Sequence, residues 1–374
     1  MSYRFMLQVV LDLEKLRQPY CGLGQFAQYL GDALIEELDS RGIEPIILAR
    51  KPQLERFQDR RCLEANLWRK EFLQRHSRLF YSGSYDQNVI WHATHQQTRF
   101  LPRHPRTPVL LTVHDLNFLR EKATSKIARE RRRHQLIIDR ATEIIAISKF
   151  VAQEVREELH VGDKPVHVIY NGVSRTDTTP IRPDFVPDDR PFLFSIGLIQ
   201  RKKNFHVLID LIERAPEYRV ILAGIKSDSY ALEIEDRVRE RGLSDRFLMP
   251  GPVSEGEREW LYQNCTAFLF PSITEGFGLP PIEAMLGGKP TFLSRRTSLP
   301  EIGGQLAFYW DAFDGDHLYQ RFVDGMRRFQ QDPTYAERLR AHAGQFCWRT
   351  AARQYVDLYE AIGGIQRPGL SSAA

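Results

Sequence analysis

Two carboxylates and two glycines lie in one stretch of the chain: Glu275, Gly276, Gly278 and Glu283. Glycine lets a backbone approach a ligand closely and turn its N–H groups toward it. Glu283 also has a structural explanation, because a glutamate in the first turn of a helix complements the helix dipole. Glu275 stands between Thr and Gly and has no such explanation, so we expect this stretch to bind a ligand.

A second candidate is a run of three cations between a predicted strand and a predicted helix: Arg201, Lys202 and Lys203. Adjacent positive charges repel one another unless an anion neutralises them. The start of a helix also favours phosphate through its dipole and its unpaired N–H groups. We therefore predict a phosphate site here, and we keep a solvent-exposed basic turn as the alternative.

The pair His114 and Asp115 directly follows the apolar run 109–113. This position is the carboxyl end of a predicted parallel strand, where functional side chains of α/β sheets collect. A histidine at a strand end is more often a structural hydrogen-bonding group, so position alone leaves both roles open. His92 and His95, around the end of another predicted strand, are candidates for the acceptor side.

The elements that must position these residues alternate along the chain. Short apolar runs predict buried parallel strands, and the segments between them predict helices. Around the two carboxylates, 267–270 is a predicted strand, and the proline pair at 280–281 begins a helix with Glu283 in its first turn. The next strand is predicted at 291–293. In open α/β sheets this edge is where ligands bind.

The same alternation fills both halves of the chain. Further strands are predicted at 5–11, 43–48, 89–92, 109–113, 143–147, 166–169, 192–196, 219–223 and 246–249. The segment 177–191 is rich in proline and charge, which is linker composition. We therefore predict an α/β protein with Rossmann-like parallel-sheet domains at 1–176 and 192–346. In 347–374, a helix at 348–362 precedes a tail that should fray.

Gly22 and Gly24 lie between the first predicted strand and a helix, in a G-x-G-x-x-A pattern that occurs in dinucleotide-binding turns. Ten residues, 12–21, separate that strand from Gly22, whereas a dinucleotide turn is tight. The second strand also ends near Arg50 and not on an acid that would hold a ribose. NAD is therefore disfavoured, and an NADP-linked oxidoreductase stays as an alternative. Residues 50–85 have poor periodicity, and we expect helices that line an acceptor groove.

Composition limits the class of protein. The 374 residues suffice for two domains, and 42% hydrophobic with 27% charged residues is typical of a globular protein. No apolar run reaches the length of a membrane span and no signal-peptide core is evident, so we expect a cytoplasmic protein. The four cysteines lie far apart without metal-ligand spacing, which disfavours a zinc site and a disulfide framework.

The net charge is only +4, but cations crowd the stretch 129–140: Arg129, Arg131, Arg132, Arg133, His134 and Arg140. We favour a solvated helix face, and we keep a patch that contacts anionic lipid on the cytoplasmic membrane face, or an anionic acceptor, as the alternative. Nucleic acid is disfavoured, because no aromatic residues or recognised binding module accompany the charge.

The stretch PSITEGFGLPPIEAM at 271–285, with SLPEIGG at 298–304, resembles the E-x7-E region of the retaining glycosyltransferases of family four. The resemblance covers nearly the whole chain. It implies the glycosyltransferase B fold, with two Rossmann-like domains facing across a cleft. It also implies transfer of a hexose, mannose-like by preference, from a GDP- or UDP-linked sugar with retention. The implied acceptor is a glycan or lipid-linked molecule in cell-surface polysaccharide or lipopolysaccharide synthesis.

The resemblance also assigns roles to residues. It implies that His114 contacts the transferred sugar, that Glu275 holds sugar hydroxyls, and that Glu283 accepts the ribose hydroxyls. When the chain is aligned with the family on Asn204, Lys202 takes the position of the family's arginine. The loop that starts at Gly197 is shorter than the family's loop, which favours Arg201 in the arginine role instead. The other residues implied at the donor are Gly22, Gly24, Lys203, Gly276, Phe277, Gly278 and Leu279, with Lys203 also counted as catalytic.

No residue is a convincing covalent nucleophile, so we expect front-face transfer in which the leaving phosphate takes the acceptor proton. Cations and N–H groups can stabilise the negative charge that grows on the diphosphate, without a metal or other cofactor. Domain closure is expected to bring His114 to the donor and to exclude water. Asp314 and Asp316 spell D-x-D, a metal motif in other glycosyltransferases, but we predict a turn. A sugar-nucleotide epimerase or hydrolase, and a nucleotide-sugar-binding scaffold, remain alternatives.

Overall fold

The computed structural model describes residues 7–18, 21–65, 88–121, 123–173, 178–186, 188–226 and 229–365. Most of the expected groove helices and the end of the expected frayed tail fall on 66–87 and 366–374, outside the described residues. The chain forms two compact units. Unit 1 comprises Met1–Gly172 and Cys347–Ala374, and unit 2 comprises Val173–Phe346.

Unit 1 contains a parallel sheet with the strand order β3-β2-β1-β4-β5-β6-β7 in its described residues. The strands are β1 (Gln8–Asp12), β2 (Glu44–Ala49), β3 (Arg61–Glu64), β4 (Val89–Ala93), β5 (Val109–Val113), β6 (Glu143–Ala146) and β7 (Val166–Val168). Among the strands of unit 1, only β3 was not predicted from the periodicity of the sequence. This edge strand carries exposed charged residues at both ends and has no fully buried position.

The helices of unit 1 before its last segment are α1 (Gly22–Ser40), α2 (Lys51–Leu54), α3 (Phe118–Glu121), α4 (Thr124–Arg140) and α5 (Lys149–Glu158). Helix α1 buries the face that its sequence predicted, with Phe26, Leu30, Leu34 and Leu38 at most 2% exposed. Residues spaced by three or four share one helix face, so this stripe faces the core of unit 1. A short 3-10 helix, Glu14–Arg17, lies between β1 and α1.

Unit 2 contains a second parallel sheet with the order β10-β9-β8-β11-β12-β13. Its strands are β8 (Phe192–Ile196), β9 (Arg219–Ala223), β10 (Phe247–Gly251), β11 (Ala267–Phe270), β12 (Thr291–Ser294) and β13 (Phe308–Trp310). Its helices are α6 (Val207–Arg214), α7 (Ser229–Glu240), α8 (Glu255–Asn264), α9 (Leu279–Leu286), α10 (Leu299–Gly303), α11 (Gly315–Gln331) and α12 (Tyr335–Ala343).

Strands β5, β9, β11 and β12 are buried at every position. Parallel strands show this pattern when helices cover both faces of the sheet. The prediction of two parallel-sheet α/β domains is confirmed. In each sheet the strand order reverses beside the first strand, at β1/β4 in unit 1 and at β8/β11 in unit 2, and such reversals form ligand-binding crevices.

The last helix, α13 (Trp348–Ile362), belongs to unit 1 and packs against α1. The Tyr359 hydroxyl lies 2.7 Å from Nδ1 of His92 in β4, and the Tyr355 hydroxyl lies 3.0 Å from Oγ1 of Thr112 in β5. Gly172 permits the close approach of this helix, because a Cβ there would lie 2.2 Å from the Trp348 backbone nitrogen. Buried polar contacts and close packing thus hold α13 to the sheet of unit 1.

The segment that we expected to be a linker packs on unit 2 where it is described. The Ile181 amide donates to the Gly256 carbonyl at 3.0 Å, and Val186 is buried. Asp188 accepts two hydrogen bonds from the nearly buried guanidinium of Arg219, at 3.0 and 3.1 Å. Unit 2 accordingly begins at Val173, earlier than the predicted boundary.

The prediction of a turn at the D-x-D sequence is wrong, because the two aspartates start a helix. Asp314 is the N-cap of α11, and its Oδ1 accepts a hydrogen bond from the His317 amide at 2.9 Å. Asp316 pairs with Arg214 at 2.9 Å. Capping and surface pairing explain both residues in structural terms.

Candidate active site

The carboxyl ends of β8 and β11 lie side by side in unit 2, because the two strands pair directly. The 3-10 helix Arg201–Lys203 follows β8, and the glycine-containing loop 271–278 follows β11. Both therefore lie at the point where the strand order reverses, which is the usual ligand edge of an open α/β sheet. The two stretches that the sequence singled out form one site.

Lys203 and Glu275 make direct contact at this edge. The ammonium of Lys203 donates to Oε1 of Glu275 at 2.5 Å and lies 4.8 Å from the centroid of the Phe270 ring. Both charged side chains are largely buried, at 12% and 13% exposure. Burial strengthens the interaction between the charges and restricts their motion, so the pair is already oriented before a ligand binds.

Backbone contacts join the two loops that carry this pair. The Ile273 amide donates to the Lys202 carbonyl at 2.8 Å, and the Ser272 hydroxyl donates to the same oxygen at 3.1 Å. Asn204 ends the 3-10 helix in the left-handed conformation, with φ of 57°. Asparagine tolerates this conformation better than most residues. The position of Lys203 is therefore set by local backbone geometry and by the neighbouring loop.

Gly197 and Gly224 let two loops of the site approach closely. A Cβ on Gly224, whose φ is +136°, would lie 1.9 Å from the Gly197 carbonyl oxygen. Gly197 itself has φ of +153°, and its own Cβ position would lie 3.8 Å from Cε of Lys203. The path of the chain behind Lys203 thus depends on glycine at both positions.

The loop around Glu275 is held by two hydroxyl groups that sequence analysis missed. The Glu275 amide donates to Oγ1 of Thr297 at 3.0 Å. The buried hydroxyl of Ser298 lies within 3.0 Å of the Glu275 carbonyl and 2.8 Å of the Phe277 carbonyl. Ser298 is the first residue of the SLPEIGG stretch that carries part of the resemblance, but the resemblance assigned no role to it.

The glycine loop leads into α9 through Gly278, which is the N-cap in the left-handed conformation with φ of 119°. Its Cβ position would lie 3.0 Å from Cδ2 of Leu299, so a side chain there would be both strained and crowded. Leu279 is the first helical residue. Glu283 is consequently the fifth residue of α9, and its predicted place in the first turn is wrong.

Glu283 is oriented by two residues of α8. The Tyr262 hydroxyl donates to Oε2 of Glu283 at 2.7 Å, and Arg258 lies 3.9 Å from Oε1. Burial, and then the neighbouring Glu283, raise the pKa of Tyr262 well above its ordinary value, so this hydroxyl keeps its proton. The carboxylate therefore has one oxygen fixed by Tyr262 and another directed toward a cation.

The other two cations of the run differ from Lys203. The side chain of Arg201 is 69% exposed, pairs with Glu233 on α7, and lies 5.5 Å from the centroid of the Tyr230 ring. It does not join the Lys203–Glu275 contact. Lys202 contributes its backbone carbonyl to the loop contacts described above.

His114 lies at the carboxyl end of β5 in unit 1, as predicted, and is buried. Its Nε2 donates to the Thr94 carbonyl at 2.9 Å, and its amide donates to Gln96 Oε1 at 3.1 Å. Burial lowers the pKa of His114 to about 4. The ring is therefore neutral near pH 7 with its proton on Nε2, which leaves Nδ1 as a hydrogen-bond acceptor.

Gly22 and Gly24 were expected in a loop, and this expectation is wrong because both lie in the first turn of α1. Cys21 precedes the helix as its N-cap residue. The connection from β1 includes the 3-10 helix Glu14–Arg17 and is much longer than a dinucleotide-binding turn. Arg50, at the end of β2, lies 3.4 Å from the Glu14 carboxylate. These features disfavour the NADP alternative.

Three further features concern the described residues alone. In the described ranges, no group of three His, Cys, Asp or Glu side chains is arranged to hold a metal ion. No helix in this part of the chain is long and apolar enough to cross a membrane. The four cysteines, Cys21, Cys62, Cys265 and Cys347, are free thiols.

Two family models match adjacent parts of the chain. The model described as Glycosyltransferase Family 4 matches residues 32–177, and the model described as Glycosyl transferases group 1 matches residues 177–345. The first match falls mostly on unit 1 and the second mostly on unit 2. The two matches together leave only the chain ends uncovered.

Curated relatives include two mannosyltransferases of Escherichia coli. The serotype-specific mannosyltransferase WbdA is 32% identical over 240 residues, which are 59% of this chain and 29% of the relative. The O-antigen chain mannosyltransferase B is 30% identical over 178 residues, 45% of each chain. The matched part of this chain thus spans less than half the length of these relatives.

Among solved structures, that of Anabaena Alr3699/HepE in complex with UDP-glucose is similar with a TM-score of 0.70 and 18% identity, covering 95% of this chain and 100% of that one. At this identity the likeness concerns the fold. The two sheets and this likeness define the class as the glycosyltransferase B fold. The two family models identify the chain further: it belongs to the glycosyltransferases of family four, as the resemblance predicted.

Proposed function

We propose that this protein is a retaining hexosyltransferase that uses a nucleoside-diphosphate sugar as its donor. The observation that carries the proposal is the buried contact of Lys203 with Glu275 at the β8/β11 reversal, beside the glycine loop 276–278. These groups at one sheet edge match two parts of such a donor. The cation and the backbone N–H groups suit the diphosphate with its leaving oxygen, and the carboxylate suits the sugar hydroxyls.

In the proposed reaction, negative charge grows on the diphosphate while the bond to the anomeric carbon lengthens. Lys203 is suited to stabilise that negative charge, because its ammonium is largely buried and already oriented. The loop N–H groups at 276–278 would contribute in the same way, and no step of the proposal requires a metal. Glu275 would hold hydroxyls of the sugar. The leaving phosphate would take the proton of the attacking acceptor hydroxyl.

Glu283 is proposed to accept hydrogen bonds from the ribose hydroxyls. Its contact with Tyr262 supports this role, because a carboxylate held by one donor presents its remaining lone pairs in a defined direction. Either Arg201 or Lys202 would add a charge to the diphosphate. For Arg201 this requires release from Glu233. His114 is proposed to contact the transferred sugar through Nδ1, its unprotonated nitrogen.

The choice of sugar, nucleotide and acceptor follows the relatives and the similar solved structure. A mannose-like sugar is supported by the names of the two Escherichia coli mannosyltransferases, and one of these names refers to O-antigen chains. We therefore propose an acceptor in lipopolysaccharide or another cell-surface polysaccharide. The similar structure of Anabaena Alr3699/HepE in complex with UDP-glucose supports testing UDP beside GDP.

Peripheral contact with anionic lipid is proposed for α4. This helix carries several exposed cations, namely Arg129, Arg131, Arg132 and Arg133, and Leu136 on it is 63% exposed. Exposed cations together with an exposed apolar side chain are typical of helices that bind a negatively charged membrane surface. A solvated helix face would instead show no preference among lipids.

The experiment that tests the proposed function begins with a thermal-shift comparison of UDP, GDP and ADP. A nucleotide present at one hundred times its dissociation constant stabilises by about 2.7 kcal/mol. The matching sugar nucleotides are then incubated with lipid-linked or glycan acceptors, and the anomeric configuration of the product is determined by NMR. Sugar release without acceptor transfer would indicate a hydrolase, and an altered free sugar nucleotide would indicate an epimerase. Either outcome, or the absence of any nucleotide shift, would overturn the proposal.

A further inference from the structure

The β1/β4 reversal in unit 1 contains a group of donors that the proposed function has not used. Asp12, the last residue of β1, is fully buried and links the two loops at this edge. One of its oxygens accepts from the Glu14 amide at 3.2 Å and the other accepts from the Thr98 hydroxyl at 2.5 Å. The 3-10 helix Glu14–Arg17 and the loop after β4 are therefore anchored on one residue.

His95, in that loop, has a buried nitrogen without a partner. The residue is 3% exposed, and its Nδ1 accepts a hydrogen bond from the Gln97 amide at 3.2 Å. Because Nδ1 is the acceptor, the proton of the neutral ring lies on Nε2. This Nε2–H has no hydrogen-bond partner in the described part of the chain. Buried donors normally have partners, so this N–H is a candidate to donate to a bound ligand.

The neighbouring 3-10 helix supplies an excess of positive charge. Glu14 contacts Lys15 at 3.7 Å, Arg17 at 2.5 Å and Arg50 at 3.4 Å, so three cations share one carboxylate. Burial, and then the charge of Lys15, lower the pKa of His95 well below its ordinary value, with smaller effects from His114 and Arg17. Because Asp12 anchors both the 3-10 helix with the cations and the loop with His95, these groups lie at the same edge of the sheet.

We propose that Lys15, Arg17 and Nε2–H of His95 form a subsite for a phosphate group of the acceptor. Each of the three groups only donates hydrogen bonds, so the ligand must be rich in acceptors. The three cations outnumber the two carboxylates at this edge, Glu14 and Asp12, so the net positive charge favours an anion over a neutral sugar hydroxyl. This inference rests on the proposed function and deepens it, because it states that the acceptor carries phosphate. The donor diphosphate has the same chemistry and is the alternative source.

Inorganic phosphate is the probe for the test, and the full chain carrying Lys203→Ala is the background, so that phosphate binding in unit 2 is weakened. Phosphate should shift the ring ¹⁵N signals of His95 in a saturable manner. Lys15→Gln should weaken this binding at least ten-fold, and Arg17→Gln should weaken it as well. Lys51→Gln, an exposed change at the start of α2, is the matched control and should leave it unchanged. Unperturbed His95 signals, or equal affinity in Lys15→Gln, would overturn the proposal.

A second arm separates the acceptor from the donor. In an otherwise unchanged chain, Lys15→Gln should keep the full thermal shift with the preferred nucleoside diphosphate. A loss of that shift would mean that the cluster holds the donor diphosphate, and the acceptor proposal would be overturned. If the wild-type chain itself shows no nucleotide shift, the proposed function fails, whereas the His95 measurement still reports on the phosphate subsite.

Discussion

Nζ of Lys203 lies 2.5 Å from Oε1 of Glu275, although the two residues are 72 positions apart in the sequence. The contact holds the Lys203 ammonium at the edge where an anionic ligand is proposed to bind. Before the ligand binds, the Glu275 carboxylate partly neutralises this positive charge. Binding of a diphosphate would add a second negative partner to Lys203. A group that stabilises developing charge in this way matters more in the transition state than in the ground state.

Lys203→Ala is expected to reduce turnover by about a hundred-fold or more, which is the usual effect of losing one charge-stabilising group. Glu275→Gln should reduce turnover by a similar factor, because the carboxylate that is proposed to hold the sugar hydroxyls is lost. Steady-state assays of nucleotide release with acceptor present measure both effects. Arg239→Gln, an exposed cation on α7 that is 72% exposed, is the matched control and should keep wild-type turnover. Unchanged rates in both site variants would reject this site.

Tyr262→Phe is expected to weaken nucleoside-diphosphate binding by roughly five- to ten-fold, the scale of one ordinary hydrogen bond, because Tyr262 acts on the ligand only through Glu283. The reason is that Glu283 loses the donor that fixes its Oε2. Glu283→Gln should weaken binding further, since it also removes the acceptor charge. Calorimetric titration with the nucleotide measures both changes. Equal weakening of the nucleotide and of inorganic pyrophosphate would contradict a ribose role, because pyrophosphate contains no ribose.

Gly224→Ala is expected to destabilise unit 2 strongly, because the new Cβ would overlap the Gly197 carbonyl oxygen. Gly242→Ala is the matched control, since Gly242 also has positive φ but no atom within 4 Å of its Cβ position. The control should cost about 1–2 kcal/mol of unfolding free energy, from backbone strain alone. Denaturant titration should show a clearly larger loss for Gly224→Ala. Equal losses would mean that the loops at Gly197 and Gly224 separate easily.

Replacement of Arg131, Arg132 and Arg133 by Gln is expected to weaken binding to phosphatidylglycerol vesicles by about a hundred-fold, at about 1 kcal/mol for each cation. Phosphatidylcholine vesicles should bind neither protein. Arg327→Gln with Arg328→Gln, on the exposed side of α11, is the control and should retain vesicle binding. Co-sedimentation measures the effect. Equal binding of the α4 variant and the wild type would favour the solvated helix face.

Most strands of both sheets could be predicted from the sequence, because parallel strands buried on both faces leave continuous apolar runs such as 109–113 and 267–270. The edge strands β3 and β13 were missed. Strand β3 has exposed ends and carries little apolar signal, and β13 is only three residues long, Phe308–Trp310. The resemblance singled out Lys203 and Glu275, but spacing alone carries no information about a contact across 72 positions. Tyr262 and Ser298 were missed for the same reason, because each supports the site through tertiary contacts that no local pattern records.

Acidification is expected to destabilise unit 1 through its buried histidines. Burial lowers the pKa of His114 to about 4 and that of His92 to about 3, whereas both should titrate near 6.5 in the unfolded chain. Between these values the unfolded chain binds more protons, so stability is complete above about pH 6.5 and falls as the pH decreases toward 4. Each histidine contributes a slope of up to about 1.4 kcal/mol per pH unit.

The replacement His114→Gln removes one of these buried titrating groups and should therefore reduce the slope of unfolding free energy against pH between 6.5 and 4. Urea titrations at several pH values measure that slope, which is independent of the general stability lost with the side chain. His160→Gln, a change at an exposed histidine of the same unit, is the control and should keep the wild-type slope. If His114→Gln and the wild type showed the same slope, His114 would titrate normally in the folded protein. Its Nδ1 would then be protonated over much of the acidic range and could not serve there as the acceptor proposed for the sugar.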